Sequence, residues 1–152
     1  MELTSDGTTR DSDDGRHAGW PDLLPAVQVH LAWPTDRLDD VVRFYRDGLG
    51  LGVIGSFEGH AGYSGVMLGL PDRTYHLEFT QHVDGSPCPA PSNDNLLVFY
   101  IPDREAIDTL VARMKQAGYS PVAPENPYWA ERGVTFEGPD GWRIVLVNTA
   151  GI

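Results

Sequence analysis

Two histidines and a glutamate combine the side chains that proteins use for proton transfer and for metal binding. His30 lies in one apolar segment, and His76 and Glu78 lie two positions apart in another. Imidazole and carboxylate groups can act as general acid and general base, and two histidines with one carboxylate form the ligand set of many non-haem iron sites. A structural interpretation is equally open, because a carboxylate on an inward strand face needs a partner and His30 could supply it to Glu78.

The chain carries the pattern around these residues twice. In each copy a Gly-Val pair precedes a Pro-Asp pair by six positions. The 48 positions from His30 to Glu78 recur between Leu97 and Val145, so the second copy has apolar residues where the first has His and Glu. Such self-similarity indicates a duplicated structural unit. The motif pairs are Gly65-Val66 with Pro71-Asp72, and Gly133-Val134 with Pro139-Asp140.

Apolar spacing predicts the same order of elements in both copies. Alternating apolar residues predict strands, and apolar residues three and four positions apart predict a helix after the first strand of each copy. We therefore expect an α+β fold built from two βαβββ modules. The predicted strands are 27–33, 53–57, 65–70, 74–81 and 96–101, followed by a short segment at 119–123 and a hairpin through 139–141.

Composition bounds the domain organisation. Residues 1–22 contain few apolar side chains, so we expect a disordered tail. The remainder, 23–152, suits a single domain whose modules cover about 26–84 and 95–149, joined by a Pro-rich linker at 85–94.

Charge and cysteine content bound the partners and the compartment. With 22 acidic residues against 11 Lys and Arg, the chain is a poor nucleic-acid binder. No run of apolar residues is long enough for a membrane span or a signal peptide. Cys88 is the single cysteine and cannot form an internal disulfide, which favours a cytoplasmic protein.

Several segments in the two modules form a recognisable set of motifs. They are Asp36, Phe44-Tyr45-Arg46-Asp47-Gly48-Leu49-Gly50-Leu51, His76-Leu77-Glu78-Phe79 and Gly138-Pro139-Asp140-Gly141-Trp142-Arg143-Ile144. In this order they resemble the vicinal oxygen chelate superfamily, the group of glyoxalase I, bleomycin resistance proteins and extradiol dioxygenases. The resemblance covers residues 26–149, and the segments 75–81 and 125–129 look like its YycE-like branch. It implies two modules that form a cup-shaped, half-open barrel, and a homodimer.

The same resemblance implies a metal site with one ligand from the first and one from the last strand of each module. His30 and Glu78 match these positions, whereas Leu97 and Val145 do not. Divalent ions need four to six ligands, so we expect no cofactor. A divalent metal held by His30, His76 and Glu78 is the alternative.

The function favoured by the sequence is a metal-free cup that binds a small molecule. The alternatives are a metal-dependent lyase or dioxygenase that uses His30, His76 and Glu78, and a cofactorless enzyme with Glu78 and His30 as catalytic base and acid. Arg143 either binds an anionic group or balances Glu78, and we expect Tyr128 or Trp129 to cover the opening. The predicted ligand-binding residues are His30, His76, Glu78, Leu97, Phe99, Tyr128, Trp129, Arg143 and Val145.

Overall fold

A computed structural model describes residue 24 and the ranges 26–69 and 74–151. The predicted tail and the Pro71-Asp72 turn lie outside these described residues. Within them, no helix is both long and apolar enough to cross a membrane.

The first module follows the predicted order of elements. Its helix begins as an α-helix and continues directly as a π-helical turn, which ends at Gly50. Gly50 has a φ of +95°, a conformation that glycine adopts without a steric penalty. The elements are β1 (Val29–Pro34), α1 (Leu38–Arg43), the π-helical turn (Phe44–Leu49), β2 (Gly52–His60), β3 (Tyr63–Gly69) and β4 (Tyr75–His82).

The second module repeats this order with one addition. Its main helix begins after Asp103, whose carboxylate accepts a hydrogen bond from the Glu105 backbone N–H and so caps the helix. A short helix at 128–132 precedes the last hairpin. The elements are β5 (Leu96–Tyr100), α2 (Arg104–Gln116), β6 (Pro121–Val122), α3 (Tyr128–Arg132), β7 (Gly133–Glu137) and β8 (Arg143–Val147).

Each module forms one four-stranded mixed sheet. The strand orders are β1-β4-β3-β2 and β5-β8-β7-β6. The first and last strands of each module pair in parallel, and the other pairs are antiparallel. This arrangement confirms the α+β fold class with tandem βαβββ modules.

A single apolar core joins the two modules. The buried cluster combines Phe44 and Phe79 of the first module with Met114 and Ile144 of the second. Trp33 stacks on Trp142 with ring centroids 4.9 Å apart. A core shared in this way cannot form from either module alone.

Polar contacts reinforce the junction between the modules. From α2, Arg113 donates hydrogen bonds to the carbonyl oxygens of Gly48 (3.0 Å) and Leu49 (2.6 Å) at the end of the π-helical turn. Arg37 of the first module donates to the Pro139 carbonyl at 2.7 Å. The last hairpin of the second module is thereby bound to the start of α1.

Asp140 contributes an unfavourable charge to this junction. Burial raises the pKa of its carboxyl above the usual value. Burial, with a smaller contribution from Asp140, also raises the pKa of the Tyr45 hydroxyl. Among the described residues, neither Asp140 Oδ2 nor the Tyr45 hydroxyl has a hydrogen-bond partner. Ionisation of Asp140 in this position therefore opposes folding.

Candidate functional site

The parallel pairing of β1 and β4 brings three polar side chains together. His30 lies beside His76, and Ala32 lies beside Glu78. Side chains at neighbouring positions of paired strands, and those two residues apart on one strand, share a face of the sheet. One donor atom from each of His30, His76 and Glu78 lies within 4.8 Å of the other two. The three residues therefore share one face of the first sheet.

His30 and Glu78 approach each other without forming a hydrogen bond. The His30 Nε2 atom is 3.6 Å from Glu78 Oε2, beyond ordinary hydrogen-bond distance. The His30 side chain is 48% exposed and that of Glu78 is 20% exposed. The His30 and His76 rings lie with centroids 4.8 Å apart and are tilted by 42°. His30 therefore has room to move, whereas Glu78 is largely enclosed.

His76 is the most enclosed member of the group. It is 8% exposed, and its Nδ1 atom has no hydrogen-bond partner among the described residues. A buried polar atom without a partner costs about 1–3 kcal/mol. A ligand or ion that satisfies this nitrogen would remove that cost.

Residues that the sequence did not single out border the group. In the antiparallel pairing of β3 with β4, Met67 lies opposite Glu78 and Gly69 lies opposite His76. A Cβ at Gly69 would lie 3.3 Å from the His76 Cβ, so a larger residue would crowd the imidazole. Met67 and Gly69 could have been identified only from the register of β3 against β4, which the sequence pattern did not specify.

Leu97 and Phe99 do not share a face of the sheet with Val145, although the sequence predicted all three as residues of one binding site. Leu97 pairs with Ile144, and Val98 pairs with Val145. Leu97 and Phe99 therefore share the face of Ile144, which belongs to the core. The position that corresponds to His30 is Leu96, two residues before the partner of Val145. Because Leu96 also lacks a donor atom, the second module still supplies no metal ligand at the superfamily positions.

Arg143 is occupied within its own module. Its side chain is buried, with Nη2 2.8 Å from Glu137 Oε2, and its Nη1 donates to the Ala123 carbonyl at 3.3 Å. The hypothesis that Arg143 balances Glu78 is therefore wrong. Val145, on the same strand as Arg143, is fully buried.

Tyr128 and Trp129 lie on α3. Their rings meet edge to face with centroids 4.9 Å apart, and the Arg132 guanidinium lies 4.5 Å from the centroid of the Tyr128 ring. Helix α3 packs on β7. Neither aromatic residue lines the cavity beside His30 and His76, and their role as a cover stays a prediction.

A cavity of about 300 Å³ lies between the edge strands β1 and β5. Of the predicted binding residues, it is bordered by His30, His76, Leu97 and Phe99, and not by Glu78, Arg143 or Val145. A second cavity of about 440 Å³ shares several of its walls. The residues that line the cavity of about 300 Å³ are Val29, His30, Leu31, Leu51, Leu68, Gly69, Tyr75, His76, Leu77, Leu97, Val98 and Phe99.

The donor set decides which kind of metal site these residues could form. The four-ligand arrangement of the superfamily does not fit, because Leu96 and Val145 have no donor atoms. The set of His30, His76 and Glu78 does fit a divalent ion, because it offers two imidazoles and a carboxylate whose donor atoms lie within 4.8 Å of one another. In addition, the Nδ1 atom of the enclosed His76 has no hydrogen-bond partner within the part of the chain that the structure describes.

Comparisons with known proteins support the resemblance seen in the sequence. Family models for the YycE-like N-terminal domain and the YycE-like C-terminal domain match residues 29–80 and 94–148. The uncharacterized protein YycE of Bacillus subtilis (strain 168) is 52% identical over 127 residues, which are 84% of this chain and 91% of that protein. The crystal structure of a Bacillus subtilis YycE protein of unknown function has a TM-score of 0.82 and 50% identity, covering 86% of this chain and 96% of that one.

More distant similarities point to the same superfamily. The catechol-2,3-dioxygenase of Bacillus subtilis (strain 168) is 26% identical over 126 residues, 81% of this chain but 42% of that enzyme. Trypanothione-dependent glyoxalase I of Leishmania major shares the fold, with a TM-score of 0.61 and 23% identity over 78% of this chain and 84% of that one. The chain belongs to the YycE-like family of the vicinal oxygen chelate superfamily.

Proposed function

We propose that this protein binds a small amphipathic molecule in the cavity between β1 and β5. The observation that carries the proposal is the composition of the cavity wall. It is largely apolar but includes two imidazoles, His30 and His76. An apolar pocket of a few hundred Å³ with a few convergent polar groups is the usual form of a small-molecule site.

The chemistry of the wall suggests how a ligand would lie. An aliphatic or aromatic part would contact Leu97 and Phe99, and a hydrogen-bonding group would face His30 and His76. Glu78 lies 3.6 Å from His30 at the polar end, and the chain has a net charge of −11. These charges favour a cationic over an anionic polar group.

This binding needs no metal. The second module presents Leu96 and Val145 where relatives of the superfamily would supply ligands. An enzymatic function is the second candidate, because His30, His76 and Glu78 converge as acid–base or metal-binding groups do. The names of the relatives include a glyoxalase and a dioxygenase as well as a protein of unknown function. They do not decide between binding and catalysis.

A displacement assay tests the binding site. A neutral N-phenylnaphthylamine dye should fluoresce in the cavity, and hexylamine should displace it better than hexanol. Leu31→Gln should weaken dye binding, because Leu31 lines the cavity. Val53→Gln is the matched control, since both residues are 49% exposed on the same sheet and Val53 does not line the cavity. Equal dye binding in both variants would refute the proposed location.

Glu78→Gln tests the polar end of the site. We expect a loss of about 1 kcal/mol for hexylamine, roughly fivefold in Kd, and little change for hexanol, as for a partly exposed charge pair. A drop in thermal stability with no change in either affinity would instead identify Glu78 as a structural partner of His30.

We also propose a homodimer. Within the described residues, β1 and β5 each pair with one strand only, so each leaves a free edge. Val29, Leu31, Tyr75 and Tyr100 leave large apolar surfaces exposed near these edges. Closed two-fold dimers are the commonest oligomers, and a second copy could cover this surface. Light scattering should give the mass of two chains, and a one-chain mass at high micromolar concentration would contradict this.

A further inference from the structure

We infer that His30, His76 and Glu78 form a three-ligand site for a first-row divalent transition metal, contained entirely within the first module. This site would differ from one in which two modules share four ligands, because His76 takes part and β5 and β8 do not. The inference goes beyond the proposed small-molecule binding, which needs no metal.

The separation of His30 and Glu78 supports a shared ion better than a direct contact. Two ligands bound at about 2.1 Å in tetrahedral geometry lie about 3.4 Å apart. The His30 Nε2 to Glu78 Oε2 distance is 3.6 Å. A structural imidazole–carboxylate pair would instead close to about 2.7–2.9 Å. The observed gap is therefore close to that of two ligands on one metal.

The surroundings of His76 give an independent reason. His76 lies on β4, beside His30 of the parallel strand β1 and opposite Gly69 of the antiparallel strand β3. It is 8% exposed, and its Nδ1 atom has no partner among the described residues. A structural pair between His30 and Glu78 would leave this nitrogen unsatisfied. An ion bound by all three side chains draws His76 into the same interaction.

Closing the site requires only a small movement. The three donor atoms lie within 4.8 Å of one another, whereas ligands on one ion are separated by at most about 4.3 Å. His76 and Glu78 are enclosed, but His30 is 48% exposed and can rotate. Their strands are already paired in register, so no backbone change is needed.

The donor types select the class of metal. Imidazole nitrogen with one carboxylate suits Fe²⁺, Co²⁺ or Zn²⁺, whereas Mg²⁺ and Ca²⁺ prefer ligand sets made of oxygen. Three protein ligands leave at least one coordination position open. His30 and His76 also border the cavity, so a small molecule bound there would lie next to two of the three proposed ligands.

Metal titration tests the inference on the full-length chain. After removal of metal with a chelator, the protein should bind one Co²⁺ and show visible absorption bands of protein-bound Co²⁺. It should also bind one Zn²⁺, measured by competition with a chromophoric chelator. His30→Gln, His76→Gln and Glu78→Gln should each weaken Zn²⁺ binding by about tenfold or more. His82→Gln is the matched control, because His82 lies on the same strand near a carboxylate, with Nδ1 3.8 Å from Asp84, outside the three-residue set.

Two results would overturn the inference. One is the absence of 1:1 binding in the unmodified protein. The other is Zn²⁺ affinity in His76→Gln equal to that of His82→Gln, which would mean that His76 is not a ligand. Circular dichroism monitors folding of each variant. Should His76→Gln fail to fold, the half-exposed His30 provides the deciding variant, since affinity retained in His30→Gln overturns the inference equally.

Discussion

Arg113→Ala should destabilise both modules together. Arg113 crosses from α2 to the first module and donates to the Gly48 and Leu49 carbonyls at 3.0 and 2.6 Å. These carbonyls lie at the end of the π-helical turn, where a positive charge is favourable. Hydrogen bonds to a charged donor contribute about 1.5–3 kcal/mol each. Because Arg113 is exposed, solvent reduces the sum to about 1–2 kcal/mol.

Thermal unfolding measures this effect. For a chain of 152 residues, a loss of that size lowers Tm by about 2–8 °C. Arg104→Ala is the matched control on the same helix, because the ion pair of Arg104 within the described residues is with the exposed Asp108 at 3.2 Å, and its loss should shift Tm by about 2 °C or less. The unmodified protein and both variants should show one transition. Equal Tm values for the two variants would refute the contribution of the Arg113 hydrogen bonds, and two separate transitions would refute the shared core.

Three further expectations concern charge, register and assembly. Burial raises the pKa of Asp140, so its contribution to stability is fully present below the pKa of the unfolded state and is lost as pH rises through the pKa of the folded state. In urea titrations, Asp140→Asn should therefore gain stability relative to the unmodified protein between pH 4 and 7. A difference that does not depend on pH would contradict this. The register of β5 against β8 can be tested in a chain carrying Glu78→Gln. Adding Leu96→His with Val145→Glu should create Zn²⁺ affinity, whereas adding Leu97→His with Val145→Glu should not, because Leu97 lies on the opposite face from Val145. Equal Zn²⁺ affinities would show that this register is wrong. If a second copy covers β1, Leu31→Lys should reduce the mass measured by light scattering to that of one chain, and an unchanged two-chain mass would place the interface elsewhere.

The sequence by itself determined the fold and the grouping of the polar residues. The duplicated Gly-Val and Pro-Asp motifs and the apolar spacing gave two βαβββ modules, and these patterns depend on local periodicity. Alternation along the strand placed His76 and Glu78 on one face, and the pairing of β1 with β4 then set His30 beside them.

Only the tertiary structure decided the face of β5. His30 pairs with His76, 46 positions later, whereas Leu96 pairs with Arg143, 47 positions later. A step of 48 positions therefore joins two residues on the same face in the first module, His30 and Glu78, but two residues on opposite faces in the second, Leu97 and Val145. A slip of one residue turns every side chain of a strand to the other face, and counting along the sequence does not reveal it.

The partners of individual side chains were also set by the tertiary structure. Arg143 could have met Glu78 or a ligand, but the pairing of β7 with β8 places Glu137 beside it. The burial of His76 and the cavity between β1 and β5 depend on residues from several strands. Such contacts join positions far apart in the chain, so they follow from how the two sheets pack against the shared core and not from local sequence periodicity.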